Sequence, residues 1–309
     1  MPREAAEAAQ SALDQGRADE ALSMLNKALE QDAADAEAFN LRCRVFYSEE
    51  RWDDAIASCE RSVQFAPGNS NYHMWLGRAY GEKADRVSFV TAYKLAKQIR
   101  VEFESAASLD PHNGEALSDL GEYYAAAPGF LGGGHNKAEA VAAQLDAFAP
   151  DRAHGLRARI AEDKKDYDGA EREYRLKVSS AAQGSPQTLS QAWMDLGGFY
   201  RRRARWDAMQ AALNGGAAAA TDHGPALVDG ASTLLRAGRE PKMAETWMQQ
   251  YLDGNGLSEE APAFIVHFQL ARLYRSQGDT PRADRELAAA HALASGYTGD
   301  KAEKTNTDR

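Results

Sequence analysis

A chain of 309 residues with a formal net charge of −10 repels polyanions, which argues against a nucleic-acid partner. No apolar run approaches the ~18 residues needed to span a bilayer, and residues 1–35 lack the apolar stretch of a secretion signal. Two cysteines make no disulfide framework, so a cytoplasmic chain is expected as written, or a periplasmic or secreted one if its N-terminus has been trimmed.

Alanine dominates the apolar residues, which favours close-packed helices over sheet. From the N-terminus, helical pairs recur. Residues 2–35 fit weakly on the first helix and well on the second, with Ala21, Leu25 and Ala28. Residues 36–69 are clearer. Phe39, Arg42, Cys43 and Phe46 fall at i, i+3, i+4 and i+7, one face of a helix. Asp53 is placed to cap the next helix, Ala55, Cys59 and Ser62 form its inner stripe, and Pro67-Gly68-Asn69 ends it. Residues 70–113 carry Leu76-Gly77, Tyr80, Phe103, Ala106 and Pro111, with a surplus in Glu82–Ile99 that predicts a lengthened second helix starting near Val87. Residues 114–152 carry Leu120-Gly121, Tyr124, Ala138 and Pro150, with an enlarged turn at Ala127–Asn136. Residues 151–184 are poor on the first helix and recover with Ala170 and Tyr174. Residues 190–223 return with Trp193, Leu196-Gly197 and Tyr200, residues 224–257 are a degraded copy, and residues 264–297 are a clean one. Residues 298–309 are polar and aperiodic, the pattern of a disordered tail.

The spacing of about 34 residues, with WMDLGGFY at Trp193–Tyr200, MWLGRAY at Met74–Tyr80, and Ala55…Pro67 and Ala138…Pro150, resembles the tetratricopeptide repeat (TPR) over residues 2–297. The segment APGFLGGG at Ala127–Gly134 resembles a set of bacterial TPR proteins with no assigned chemistry. The resemblance implies an all-α, right-handed α-solenoid of about eight TPR-like helical hairpins, each hiding the apolar face its neighbour leaves bare. A small residue at the eighth position (Cys43, Gly77, Gly121, Gly197, Ala271) should let the two helices of a hairpin approach closely.

Candidate chemistry is sparse. Gly129–Lys137 departs from the phosphate-binding pattern GxxxxGK[ST], since no Ser or Thr follows Lys137 and no strand precedes it. It reads as a turn in which Asn136 caps the next helix, and Phe130 and Leu131 should fold back onto the array rather than cap the mouth of a groove. The seven histidines show no metal-ligand spacing, and His267 occupies a packing position. Cys43 and Cys59 face each other within one hairpin, where reduced, packed thiols are expected rather than a disulfide. No cofactor, metal or catalytic residue is expected.

The best lead is the concave face. Carried over from the TPR pattern, its residues are Asn40, Arg44 and Tyr47, then Asn71, Met74 and Arg78, then Asp119 and Glu122, with Arg159 and Arg272 further on. Asn40, Asn71 and Arg78 match part of a carboxylate clamp whose lysines are missing here, which argues against a chaperone-tail adaptor. Arginines near aromatics suit an extended peptide with acidic and apolar side chains. The expected function is a non-enzymatic protein- or peptide-binding scaffold. The alternative is a structural spacer or self-assembly module acting through the convex face. Oligomeric state stays open.

Overall fold

The computed structural model describes residues 1–297 and 299; the tail expected over 298–309 lies, apart from residue 299, outside the described residues. Sixteen α-helices run through the described residues: α1 Arg3–Asp14, α2 Ala18–Gln31, α3 Ala36–Ser48, α4 Trp52–Phe65, α5 Ser70–Ala84, α6 Phe89–Leu109, α7 Gly114–Ala126, α8 His135–Leu145, α9 Pro150–Asp163, α10 Tyr167–Ala181, α11 Pro186–Arg202, α12 Trp206–Ala219, α13 Ala226–Arg236, α14 Pro241–Leu252, α15 Ala263–Ser276 and α16 Thr280–Leu293. Each odd-numbered helix packs on the even-numbered one after it, and each hairpin packs on the next, which makes an all-α solenoid. None of these helices is long and apolar enough to cross a membrane.

Local chemistry sets the ends of the helices. Asp35, Asn69, Asn113, Asp166, Ser185 and Asp279 accept hydrogen bonds from the first free N–H groups of α3, α5, α7, α10, α11 and α16. Two predicted caps are corrected. Arg51 precedes α4, so Asp53 sits inside its first turn and pairs with Lys83 instead. Gly134 precedes α8, and Asn136 makes no cap. Six of the hairpin turns place one residue in the left-handed region at the same point after the first helix: Gly16, Glu50, Lys165, Ala204, Gly238 and Gly278. The third and fourth hairpins, which carry the sequence insertions, depart from that turn.

Small residues fall where helices touch. A Cβ at Gly77 would lie 2.5 Å from the Phe103 ring on α6, and one at Gly197 would lie 2.4 Å from Leu213 on α12, each inside its own hairpin as expected. Gly121 differs: its Cβ would meet Leu156 of α9 at 2.3 Å, in the following hairpin. The periodic tyrosines have a second task. Tyr80, Tyr124, Tyr200 and Tyr274 donate to Glu60, Glu104, Glu171 and Glu245, at 2.7, 2.9, 2.8 and 3.0 Å, so each hydroxyl joins its hairpin to the helix before it.

The expectation of free thiols is overturned, because Cys43 and Cys59 form a disulfide. Both are fully buried, and their Cα atoms stand 5.2 Å apart. The small-residue position that brings two helices together in other hairpins here brings two sulfur atoms together.

The two ends of the stack meet. Leu13, Ala21 and Leu25 of the first hairpin share one buried cluster with Phe264, Ala290 and Ala294 of the last. Asp19 accepts from the Ser295 amide at 3.0 Å, and Arg44 on α3 is ion-paired with Glu259, just before α15. An open solenoid needs polar end caps to cover its first and last faces; this array covers each with the other and closes into a ring.

Candidate functional site

Ring closure changes the concave face. The connection from α14 to α15, residues 253–262, projects into the interior and is fixed by Tyr251, whose hydroxyl donates to the Ala261 carbonyl (2.7 Å) and accepts from the Ser258 amide (2.9 Å). From this connection Glu259 reaches Arg44 across the ring with both carboxylate oxygens. Glu260 sits within electrostatic reach of Arg78 and Arg152. Arg44 and Arg78 both lie over the Trp75 ring, at 5.3 and 5.0 Å from its centroid. Arg78 donates to Asp119 (2.6 Å) and Glu115 (3.2 Å). The two arginines picked out as ligand-holding groups are thus already held by the chain's own carboxylates.

Cavities follow the interior. One of about 900 Å³ is lined by Asn40, Arg44, Asn71, Met74, Trp75 and Glu259 among others. Met74 and Asn40 are nearly buried, so they form wall rather than contact surface. A second, of about 460 Å³, holds Glu122, Arg159, Lys177, Asp195, Asp229 and Glu260. The third, of about 780 Å³, is the most apolar, with Tyr47, Trp75, Arg78, Asp119 and Glu122 on its inner side. Nine of the ten expected groove residues therefore line the interior. Arg272 lies apart on α15, close enough to Tyr297 to act on it electrostatically.

The apolar cavity is built by the two features that break the repeat. The surplus in the third hairpin makes α6 21 residues long, and the insert in the fourth folds as a single 3-10 turn, Gly129–Leu131. Leu131 is half-buried in the cavity wall, and its carbonyl accepts from Tyr123 at 2.9 Å. Phe130 does not fold back as expected: it stays 70% exposed on the rim, with its ring 6.4 Å from that of Tyr93. Phe89, the first residue of α6, is 78% exposed across the opening. Gly133 makes the tight turn possible, since a Cβ there would lie 1.7 Å from the Ala127 carbonyl oxygen.

Burial pushes the Asp119 carboxyl up, with Arg78 opposing, and it pushes Glu122 up with Asp119 adding to it. Glu122 is nonetheless exposed to water, which moderates this push. Asp229 on α13 is raised to about 6, chiefly by burial, against a 3.0 Å hydrogen bond from Gln191 and with Asp195 and Glu260 nearby. It too reaches the water of the cavity, so its effect on stability is well below what full burial would give. The sign is clear: between its ordinary value of 3.8 and about 6 the folded state holds a proton that the unfolded state has lost, so this group's contribution falls as pH rises through that window. Asp229→Asn should therefore be more stable than the parent at pH 7.5, with the gap closing as pH drops from 6 to 4, measured by paired denaturant titrations.

Three of the histidines brace their hairpins. His73, His154 and His267 each bond a glutamate on the second helix of their own hairpin, Glu102, Glu173 and Glu286, at 2.6, 2.8 and 2.6 Å. Among the described residues no group of three or more His, Cys, Asp or Glu is arranged to hold a metal ion.

Comparison with known proteins agrees with this architecture. Residues 7–70 match a family model described as tetratricopeptide repeat. A solved thermophilic TPR protein from Thermus thermophilus is 19% identical, with a TM-score of 0.51 over 68% of this chain and 100% of that one, which is a likeness of fold. A tetratricopeptide repeat protein from Parabacteroides merdae is 13% identical, covering 94% of this chain and 92% of its own, with a TM-score of 0.45. A human IFIT1 dimer solved with PPP-AAAA is 11% identical, covering 90% and 69%, with a TM-score of 0.47. No curated protein matches the chain.

Proposed function

We propose that this tetratricopeptide-repeat protein is a non-enzymatic scaffold that binds an extended segment of a partner protein along its inner face, anchored in the apolar cavity between α5, α6 and the Ala127–Gly134 turn. The observation that carries this reading is the placement of Phe89 and Phe130. Both belong to segments added to the repeat, both are more than two-thirds exposed, and both flank the opening of one cavity. Solvent-facing aromatics at the rim of a pocket are costly unless a partner covers them. The Cys43–Cys59 bond supports a working place outside the reducing cytosol.

The test is affinity capture from the native cell, mapping of the captured segment, and titration of that purified segment. Phe89→Ala/Phe130→Ala should weaken binding by about tenfold to a hundredfold, the range of two anchoring aromatics. Leu176→Ala, an exposed apolar change on α10, should leave it unchanged. Equal affinity in the Phe89/Phe130 variant and the parent would overturn the reading.

A further inference from the structure

We infer that the occupant of the apolar cavity is a protein segment in which an aromatic or branched aliphatic side chain lies within a few residues of a lysine or arginine. The inference rests on the proposed reading of this cavity as the anchor site. Its walls, built from Phe89, Ala92, Ala96, Phe130 and Leu131, ask for an apolar side chain. Its polar edge decides the rest.

Four carboxylates, Glu82, Asp85, Asp119 and Glu122, line the cavity beside one cation, Arg78. Arg78 is taken by Asp119 and Glu115. Glu82 holds Arg86 and accepts from Tyr47. Among the described residues the side-chain carboxylates of Asp85 and Glu122 have neither a hydrogen bond nor an ion pair; Arg159 and Lys177 act on Glu122 only through space, from the neighbouring cavity, and Lys177 is bonded to Asp195. The aromatic faces already attract positive charge, with Lys97 Nζ 4.4 Å from the Tyr93 centroid and two arginines over Trp75. An acidic segment would instead meet four carboxylates and would have to take Arg78 from Asp119.

An extended chain fits better than a compact molecule, because this cavity shares Trp75 with one neighbouring cavity and Glu122 with the other. The chain's own residues 298–309 contain no aromatic, Leu, Ile, Val or Met and lack the apolar half of the motif.

The test uses the full-length chain and synthetic eight-residue peptides built on Leu-Xaa-Phe-Xaa, with Xaa as Lys, Arg, Gln or Glu, read by fluorescence anisotropy in 150 mM salt. Lys and Arg peptides should bind at least tenfold tighter than Gln peptides, and Glu peptides weakest. Asp85→Asn/Glu122→Gln should shrink the Lys-over-Gln preference at least threefold. Phe89→Ala/Phe130→Ala should weaken all of them. Preferential binding of Glu peptides, still lost in Phe89→Ala/Phe130→Ala, would overturn the cationic assignment and leave the anchor site standing. Lys-peptide binding insensitive to Phe89→Ala/Phe130→Ala would overturn the anchor site itself. Binding of none of the peptides, or light scattering showing a dimer that Phe89→Ala/Phe130→Ala dissolves, would also overturn the inference, the latter by making the occupant a second copy.

Discussion

Gly16→Ala should pry the ring open. Gly16 sits at φ +67° in the turn between α1 and α2, and a Cβ there would lie 2.5 Å from the backbone nitrogen of Ala263 and 3.0 Å from its Cβ. A backbone atom at the start of a packed helix cannot turn aside as a side-chain tip can, so the last hairpin must move. The left-handed backbone adds its own penalty for alanine, on the order of 1 kcal/mol. Gly238 is the control. It occupies the equivalent turn at φ +65° with nothing within 4 Å of its would-be Cβ. Gly238→Ala should show the backbone penalty alone, while Gly16→Ala should cost about 1–3 kcal/mol more, the usual range for overpacking. Small-angle scattering should show a larger radius of gyration for Gly16→Ala and no change for Gly238→Ala. Equal losses in the two variants, with equal radii, would mean that the ends do not pack in solution.

Closure also explains which parts of the molecule can be read from the residues and which cannot. Periodic features show themselves in sequence because each recurs near 34 residues. Gly77 and Gly197 do in space what their spacing implies. A contact between Arg44 and Glu259 leaves no period. It depends on a small rotation per hairpin summed over the whole array, and no single unit encodes that sum. Arg44 therefore reads as a free groove residue when it is a strut of the closure.

The apolar cavity was legible in halves. The surplus before Ile99 and the insert after Ala126 each stand out against the repeat. Both lie at the turn between the two helices of their hairpins, and the hairpins are neighbours, so the insertions had to meet at one edge of the stack. Their register is another matter. Phe130 stays exposed in a turn whose Gly132 and Gly134 take φ +92° and +152°, and glycine-rich backbone gives no pattern from which to read a side chain's direction.

Reduction should destabilise the second hairpin by about 2–4 kcal/mol, the typical worth of a disulfide. Cys43 and Cys59 are 16 positions apart, and closing a loop of that size takes about 3 kcal/mol of freedom from the unfolded chain. Cys43→Ala/Cys59→Ala should match the reduced parent and ignore the reductant, which separates the bond from any general effect of thiols in solution. Because neighbouring units support one another, the loss should appear first as faster amide exchange in α3 and α4 and only then in the global transition. The same helix α3 presents Arg44 to Glu259 and Tyr47 to the apolar cavity. Loosening it should therefore weaken ring closure and partner binding together, so binding by the reduced parent should fall without any change to Phe89 or Phe130. Oxidised and reduced chains of equal stability and equal exchange would show that the bond adds nothing to what the packed helices already supply.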